Sequence, residues 1–383
     1  TGMLANGDSG DGRMPDEKLL LEYILKEIAG SKAPFLLLTP ELFSHSYERL
    51  LAQRTANQAS SFGEVITFRM LADRVFSETS GLAEVALNEA GRLMMLFEAA
   101  KEQAPSLKFY KTLPHKPAVL KEMLAVIDRF KCCKIMPEDV LQAYEDAEGV
   151  LKEKLLDISG LYMAYNRRSR RRDPREKLDL LAERIGDARM FAGVRLYVDG
   201  FSGFTAQEFA VLRALCKACE TVAVCIPCDA SQPQLFSSGI RTIESLKTLD
   251  SSWEIIDLGE SKCCKTENLR QVERYLLDGG PAPAVQADGS VSVCACPSVL
   301  EECENAAGYI RRLWKKGEAY REFVIASRDF SPYANCLGML LRRYDIPVFL
   351  SEKTEITKKA VPRMLLAALR CVSDGYLYED MFS

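Results

Sequence analysis

The chain has 383 residues, which is too long for one ordinary domain and predicts two or three. Hydrophobic residues make up 48%, charged residues 27%, and the formal net charge is -4, which excludes a chain that is basic overall and makes any nucleic-acid contact local. No apolar run approaches the roughly 20 residues that cross a membrane, and the polar start is unlike a signal peptide, so we expect a cytoplasmic protein. Because the chain begins at Thr1 and ends on "YEDMFS", we also expect a fragment of something longer.

The first third of the chain alternates helical and strand patterns. The helical segments are "PDEKLLLEYILKEIAG", "LFSHSYERLLAQRT" and "RMLADRVFSETSG". Between them lie two short buried-strand patterns, "APFLLLTPE" and "GEVITF". This alternation favours a parallel sheet covered on both faces.

Residues 85–185 show only helical periodicity, after which strands and helices alternate again. The simplest account is one α/β domain, 1–84 and 186–280, interrupted by a helical insertion, 85–185. A linker rich in Gly, Pro and Ala is predicted at 281–290. Residues 291–383 then read as the start of a second α/β domain, with strands predicted at "SVSVCACPS", "EFVIASRD" and "IPVFLSE".

The 13 cysteines, in a chain with no export signal, read as reduced thiols. Two CxxC pairs lie five residues apart, whereas structural zinc sites usually separate such pairs by about 15–20 residues. The strand period of two sends Cys225 and Cys228 to opposite faces. We therefore predict small buried side chains, with no metal site. Since the only histidines, His45 and His115, join no Cys/His/Asp constellation, we assign no catalytic residue.

"GDSGDGRM" fits the frame of a phosphate-binding loop, G-x-x-x-x-G-K-[ST], at Gly7 and Gly12, with Gly10 between them. Arg13 replaces the lysine and Met14 the hydroxyl, and a thioether is a poor ligand for Mg²⁺. We also expect no strand before the loop, because "TGMLAN" is too polar and short. The segment is either a degenerate site for Mg-ATP or a flexible terminus.

Asp199 ends the apolar run Val194–Val198 and precedes a Gly-rich turn and an amphipathic helix. An acid at the carboxyl end of a parallel strand lies where open α/β sheets bind ligands. The next residue is Gly200, so no general base stands beside it. Asp199 is therefore either part of a vestigial nucleotide site or, like Ser202, a residue that turns the chain and caps the next helix.

"YNRRSRRRDPREK" holds six arginines within nine residues. Such a basic run near two tyrosines could follow a phosphate backbone, because each neutralised phosphate releases counterions, or it could be a solvated surface turn. The arginines that we single out are Arg167, Arg168, Arg170, Arg171 and Arg172.

Taken together, these segments resemble the N-terminal part of the AddB/RexB family, the B subunits of bacterial ATP-dependent helicase–nuclease complexes that process double-strand breaks. "LYVDGFSGFTAQEFAVLRAL" and "SRDFSPYANCLGMLLRRYDIPVFLSEKTEI" carry the resemblance most specifically, and the matching stretches cover nearly the whole chain.

The resemblance implies a superfamily-one helicase architecture: a RecA-like P-loop NTPase domain with a helical insertion, then a second, truncated RecA-like domain. "VITFRMLA" resembles the motif that touches single-stranded DNA, here Thr67 and Phe68, and Arg69 and Arg328 are further candidates. In "VDGF", Asp199 is kept and the following glutamate is absent. The family's nuclease domain and four-cysteine iron–sulfur cluster are expected beyond residue 383.

Three functions follow as alternatives. The first is a motor-deficient region that guides single-stranded DNA and docks an AddA-like motor subunit, within a full-length ATP-dependent exodeoxyribonuclease that acts on duplex ends. The second is an active P-loop ATPase, which predicts that nucleotide binds at Gly7–Arg13 and Asp199. The third is a purely structural docking module.

Overall fold

The chain folds into two compact units, Thr1–Ser290 and Val291–Ser383. The structure is a computed structural model. It describes residues 2–7, 23–26, 33–55, 63–79, 86–169, 172–229, 232–249, 253–260, 266–277, 283–349, 359–373, 376 and 378.

A six-stranded sheet with every neighbouring pair parallel forms the centre of the first unit. Its spatial order is β3-β2-β4-β5-β1-β6. The strands are β1 (Gly2–Gly7), β2 (Phe35–Leu38), β3 (Gly63–Ile66), β4 (Arg195–Val198), β5 (Thr221–Pro227) and β6 (Glu254–Glu260). The predicted parallel sheet of an α/β fold is thus confirmed.

The prediction that no strand precedes the phosphate-loop frame was wrong. Residues Gly2–Gly7 form strand β1, which pairs with β5 on one side and β6 on the other. A strand between two parallel neighbours is held by backbone hydrogen bonds on both edges, so it forms without the side-chain alternation that sequence analysis relies on.

Helices cover both faces of the sheet. The helices of the α/β part are α1 (Ser44–Arg54), α2 (Phe68–Glu78), α8 (Ala206–Ala218), α9 (Ser237–Leu249) and α10 (Glu267–Tyr275). Apolar side chains of α2, α8 and α9 form one core with the sheet. Tyr47 and Leu51 of α1 form a second core on the other face with Leu37, Val65 and Tyr197 of β2, β3 and β4. Of the first predicted helix, residues 23–26 are helical and the rest lies outside the described residues.

Between β3 and β4 the chain makes an all-helical excursion. Its helices are α3 (Glu89–Gln103), α4 (Pro117–Cys132), α5 (Pro137–Glu145), α6 (Gly149–Ser169) and α7 (Lys177–Arg184). The described residues 86–169 and 172–194 contain no strand, in keeping with the periodicity. Side chains of α3, α4 and α6 enclose a separate apolar core.

A buried ionic cluster joins three of these helices to the turn that follows α6. Asp173 accepts hydrogen bonds from Lys131 Nζ at 2.8 Å and from Tyr165 Oη at 2.8 Å. Arg92 Nε lies 3.1 Å from Asp173, and the same guanidinium pairs with Asp128. Burial alone would raise the pKa of Asp173, but Lys131 and Arg92 lower it, and the net pKa lies below its ordinary value.

The second unit differs from the predicted α/β pattern. Its helices are α11 (Val299–Trp314), α12 (Ala334–Arg343) and α13 (Ala360–Ser373). The three segments predicted as strands carry no strand pairing in residues 291–297, 323–329 and 346–349, so that prediction was wrong for the part that the structure describes. An apolar alternation specifies which side chains share a face, whereas a strand also needs a neighbour for its backbone groups. Several apolar side chains there are exposed, among them Val293, Val324 and Phe349.

Candidate functional site

The sheet has a topological switch point between β2 and β4. The connection that leaves β2 runs to β3 on one side, whereas the connection that leaves β4 runs to β5 on the other. Open α/β sheets bind ligands outside the carboxyl ends of the strands at such a point. Buried Thr39 follows β2 and buried Asp199 follows β4, so both lie at this edge of the sheet.

Asp199 is a buried carboxylate whose oxygens are held by the protein itself. Its Oδ2 accepts a hydrogen bond from the hydroxyl of Tyr47 on α1, and its Oδ1 accepts one from the backbone N–H of Gly200 at 2.8 Å. The Asp199 side chain is only 2% exposed. A residue that binds Mg²⁺ presents its oxygens to the ion, whereas this carboxylate is buried and each of its oxygens already accepts a hydrogen bond from a protein donor.

Gly200 cannot be replaced by a glutamate without moving its surroundings. Its φ is +83°, and a Cβ there would lie 3.0 Å from Pro40 Cδ and 3.1 Å from Phe43 Cδ2. L-residues with a side chain rarely adopt this conformation. The backbone conformation of this turn therefore disfavours a second acid at residue 200.

The alternative in which Asp199 or Ser202 caps the following helix is excluded by the cap itself. Thr205 is the N-cap of α8: its Oγ1 accepts from Glu208 N at 3.3 Å, and its own N–H donates to Glu208 Oε2 at 2.7 Å. This reciprocal pair is a capping box. Asp199 stabilises the turn by accepting a hydrogen bond from Gly200 N, whereas Thr205 caps the helix.

The predicted single-strand motif lies at the same edge, where β3 ends and α2 begins. Thr67 is the buried N-cap of α2, and its Oγ1 accepts from Met70 N at 3.3 Å. Arg69, in the first turn, is exposed and pairs with Glu41 across 2.8 Å. The Thr67 side chain is thus engaged in the fold, while Arg69 presents a cation to solvent.

A row of aromatic rings joins this motif to the turn after Asp199. The centroid of Phe68 lies 5.6 Å from that of Phe201, Phe201 lies 5.1 Å from Phe204, and Phe204 lies 5.5 Å from Phe209. All of these rings are partly buried. Phe201 and Phe204 are site residues that were not predicted from the sequence, although two phenylalanines in a Gly-rich turn directly after a strand tip are a usable signal.

The arginine run is only partly free to meet a ligand. Arg167 and Arg168 both lie beside Glu102, at 3.8 Å and 2.6 Å, and Arg172 is partly buried. Arg170 and Arg171 lie outside the described residues. The structure therefore places Arg167 and Arg168 against an acid of α3.

The remaining candidates belong to strand β1, to the second unit, or to residues outside the described ranges. Gly7 is the last residue of β1, whereas Gly10, Gly12 and Arg13 fall outside the described residues. Arg328 is exposed and belongs to the second unit.

The four cysteines of the paired CxxC motifs do not converge. Cys225 lies in the core on one face of the sheet, while Cys216, Cys219 and Cys228 pack against the core on the other. The predicted opposite orientation of Cys225 and Cys228 is confirmed. Burial, together with the neighbouring Cys216, raises the pKa of Cys219 to about 12. Among the described residues, no group of His, Cys, Asp or Glu is arranged to hold a metal ion.

In the part of the chain that the structure describes, every helix is too short or too polar to span a bilayer.

Similar proteins point in one direction. A protein from Desulforamulus reducens, named as the B subunit of an ATP-dependent helicase/deoxyribonuclease, is 26% identical over 375 residues, which covers 92% of this chain and 32% of that protein. Proteins of the same name from Alkaliphilus oremlandii and Desulfitobacterium hafniense are 28% and 27% identical, covering 98% and 91% of this chain and 34% and 31% of theirs. The chain thus spans about a third of the length of the curated relatives that it matches.

Residues 5–274 match the family described as "ADDB, N-terminal", a range that includes β2 to β6, the helical excursion and the Asp199 turn. The chain therefore belongs to the ADDB N-terminal family.

Proposed function

We propose that this chain is the helicase-like region of a protein that takes part in an ATP-dependent helicase–nuclease complex acting on double-strand breaks in the cytoplasm. In this proposal it guides single-stranded DNA and docks an AddA-like motor subunit, and it does not hydrolyse ATP. The names of the relatives support the helicase–nuclease setting.

The proposal that this region does not hydrolyse ATP rests on the turn after β4, which contains Asp199 and Gly200. Tyr47 and the N–H of Gly200 occupy both oxygens of Asp199. A side chain at residue 200 would be crowded by Pro40 and Phe43 and would need a positive φ. Hydrolysis needs a metal ion and a positioned water, whereas this turn supplies a buried carboxylate that two protein donors already hold, and no second acid.

The proposal that this region guides DNA is supported by aromatic rings and an exposed arginine at the carboxyl edge of the sheet. Phe68 and the Phe201–Phe204 pair supply rings, and Arg69 supplies an exposed cation. Single strands are bound by such combinations of stacking rings and positive charge, with little demand on base sequence.

The binding test uses two arginines of the same helix. Arg69 pairs with Glu41 at the carboxyl edge, and Arg74 pairs with Glu64 further along α2. We expect Arg69→Gln to weaken binding of an oligothymidylate at low salt and to reduce the slope of log affinity against log salt by about 0.7. Arg74→Gln, the matched control, should leave both quantities unchanged. If the intact chain, alone and with its motor subunit, shows no affinity for the oligonucleotide at low salt, DNA guidance is wrong.

A second candidate, nucleotide binding without turnover, is favoured by one observation. Strand β1 ends on Gly7, the first glycine of the phosphate-loop frame, at the carboxyl edge of the sheet beside β5. Millimolar Mg-ATP should then raise the melting temperature, because a ligand of the folded state stabilises it. A shift without phosphate release would establish this candidate, no shift would exclude it, and measurable phosphate release would contradict the main proposal.

A further inference from the structure

The carboxyl end of helix α11, in the second unit, carries a stack of two rings, of which Trp314 is exposed and Tyr320 is partly buried. The rings of Trp314 and Tyr320 lie nearly parallel, with centroids 5.5 Å apart and planes inclined by 8°. The guanidinium of Arg311 lies 5.4 Å from the Trp314 ring. Trp314 nevertheless remains 42% exposed, so part of the indole faces solvent.

The basic end of α11 contacts the basic end of a second helix. Arg311 Nη1 donates to the carbonyl oxygen of Tyr344 at 2.8 Å, and Tyr344 is the C-cap of α12. This contact brings the basic last turn of α11 beside the basic last turn of α12, which holds Arg342 and Arg343. We call the stack with these basic turns and the two lysines after Trp314 the α11 end surface.

The two lysines of this surface are available to a ligand. Lys315 and Lys316 are exposed, and neither forms an ion pair within the residues that the structure describes. The acids nearest along the chain are Glu318 and Glu322 after α11 and Asp345 after α12, and Glu322 lies 3.1 Å from Arg321. Positive charge therefore predominates on the α11 end surface.

Helix dipoles explain only part of this arrangement. Lysine and arginine are favourable near any helix carboxyl end. That preference does not account for an exposed tryptophan in a stack, nor for Tyr309, which is 49% exposed with the guanidinium of Arg312 5.5 Å from its ring. Rings for stacking beside cations for phosphate are what a single nucleic-acid strand requires.

We propose that the α11 end surface binds single-stranded DNA. An unpaired base packs on the exposed part of the Trp314 indole, and the phosphates on either side lie against Arg312, Lys315 and Lys316. The site goes beyond the proposed function, because it lies in the second unit and does not depend on the carboxyl edge of the sheet in the first.

The chain provides a local reporter for this surface. It contains two tryptophans, and Trp253 is only 8% exposed, so exposed Trp314 is the one that a ligand can reach. The whole 383-residue chain is titrated with a labelled oligothymidylate at low salt. The anisotropy of the label reports all binding, and tryptophan fluorescence reports contact at Trp314. We expect fluorescence to be quenched in step with the anisotropy, and Trp314→Phe to abolish most of the quenching.

Two comparisons separate stacking from charge. An abasic strand of the same length keeps the phosphates but has no bases, and we expect it to leave Trp314 fluorescence unchanged. We expect Trp314→Leu to weaken oligothymidylate binding about ten-fold. The double variant Lys315→Gln/Lys316→Gln should lower the salt slope by about 1.4, and Lys359→Gln, an exposed lysine of the same unit, should not change it. Circular dichroism confirms that each variant is folded.

The outcomes distinguish this site from the edge of the first unit. If the oligonucleotide binds without quenching and Trp314→Leu has normal affinity, the α11 end surface is not the binding site, and binding at the carboxyl edge of the sheet remains supported. Equal quenching by the abasic strand also overturns it. Quenching that survives while Arg69→Gln changes nothing supports the α11 end surface and contradicts the sheet edge.

Discussion

At the scale of single residues, the turn after β4 decides what this sheet can do. Asp199 lies where sequence analysis placed it, at the tip of a strand and at the edge where ligands bind. Its partner Tyr47 is 152 residues away in sequence and has no motif of its own. Asp199 could be found from the sequence because its position follows a local pattern. The Tyr47 hydroxyl that donates a hydrogen bond to it is brought there only by the packing of α1.

We predict that adding the missing acid, Gly200→Glu, destabilises the protein and yields no ATP hydrolysis. The smaller change Gly200→Ala should already lower the free energy of unfolding by about 2 kcal/mol or more, since a positive φ and contact with Pro40 and Phe43 both oppose a Cβ. Urea denaturation and phosphate release are the measurements.

Gly193→Ala is the control for this prediction, because Gly193 has φ +71° but nothing within 4 Å of its Cβ position. It should cost about 1 kcal/mol, from backbone strain alone. Equal losses at both glycines would show that crowding by Pro40 and Phe43 contributes nothing.

At the scale of elements, the ionic cluster fixes the helical excursion to the chain that returns to the sheet. Lys131 of α4 reaches both Asp173, at 2.8 Å, and Glu176, at 2.6 Å, and its side chain is 4% exposed. Charges this deeply buried are tolerated because each has a partner.

We predict that Lys131→Met lowers the free energy of unfolding by about 3–5 kcal/mol, because it leaves the Asp173 carboxylate buried without its main cation. Lys121→Met is the matched control on the same helix. Lys121 lies 3.9 Å from Glu89, both side chains are more than two-thirds exposed, and its loss should cost less than about 1 kcal/mol. Urea unfolding measures both, and similar costs for the two lysines would contradict the burial argument.

The same ionic cluster predicts how the free energy of unfolding depends on pH. The pKa of Asp173 is held below its ordinary value in the folded protein, so its contribution is complete above about pH 4 and is lost as the pH falls through the folded pKa. Lys131→Met removes the main cation, so the folded pKa should rise and the loss should begin at a higher pH. Unfolding measured between about pH 3 and pH 6 tests this, and parallel curves for the wild type and Lys131→Met would refute it.

Elements of the first unit were more predictable than those of the second. β2, β3, β4 and β5 were found because compact apolar runs bounded by turn residues are typical of buried strands. The runs around Val293, Val324 and Val348 have the same composition, yet these residues are exposed and lie outside any strand. Composition fixes a preference for extended backbone, but pairing depends on whether neighbouring strands are present.

At the scale of the whole molecule, the chain has two units with separate cores, and we expect the segment that connects them to be sensitive to proteases. Their cores share no residue. Residues 283–295 between them are exposed throughout and carry no helix or strand. We expect a low concentration of a broad-specificity protease to cut there first, leaving a fragment of about 290 residues, since exposed irregular backbone is the preferred substrate. Mass spectrometry locates the cut, and early cleavage inside α3 to α6 would contradict the division.

The sequence by itself determined the α/β class, the positions of β2 to β5, the helical excursion and the ADDB N-terminal family, because each rests on local periodicity or on motifs read along the chain. Only the tertiary structure decided that Tyr47 donates a hydrogen bond to Asp199, that Gly200 has a positive φ beside Pro40 and Phe43, and that β1 completes the sheet. These depend on contacts between segments far apart in sequence. The rings and cations at the end of α11 likewise became a surface only when Arg311 met the end of α12.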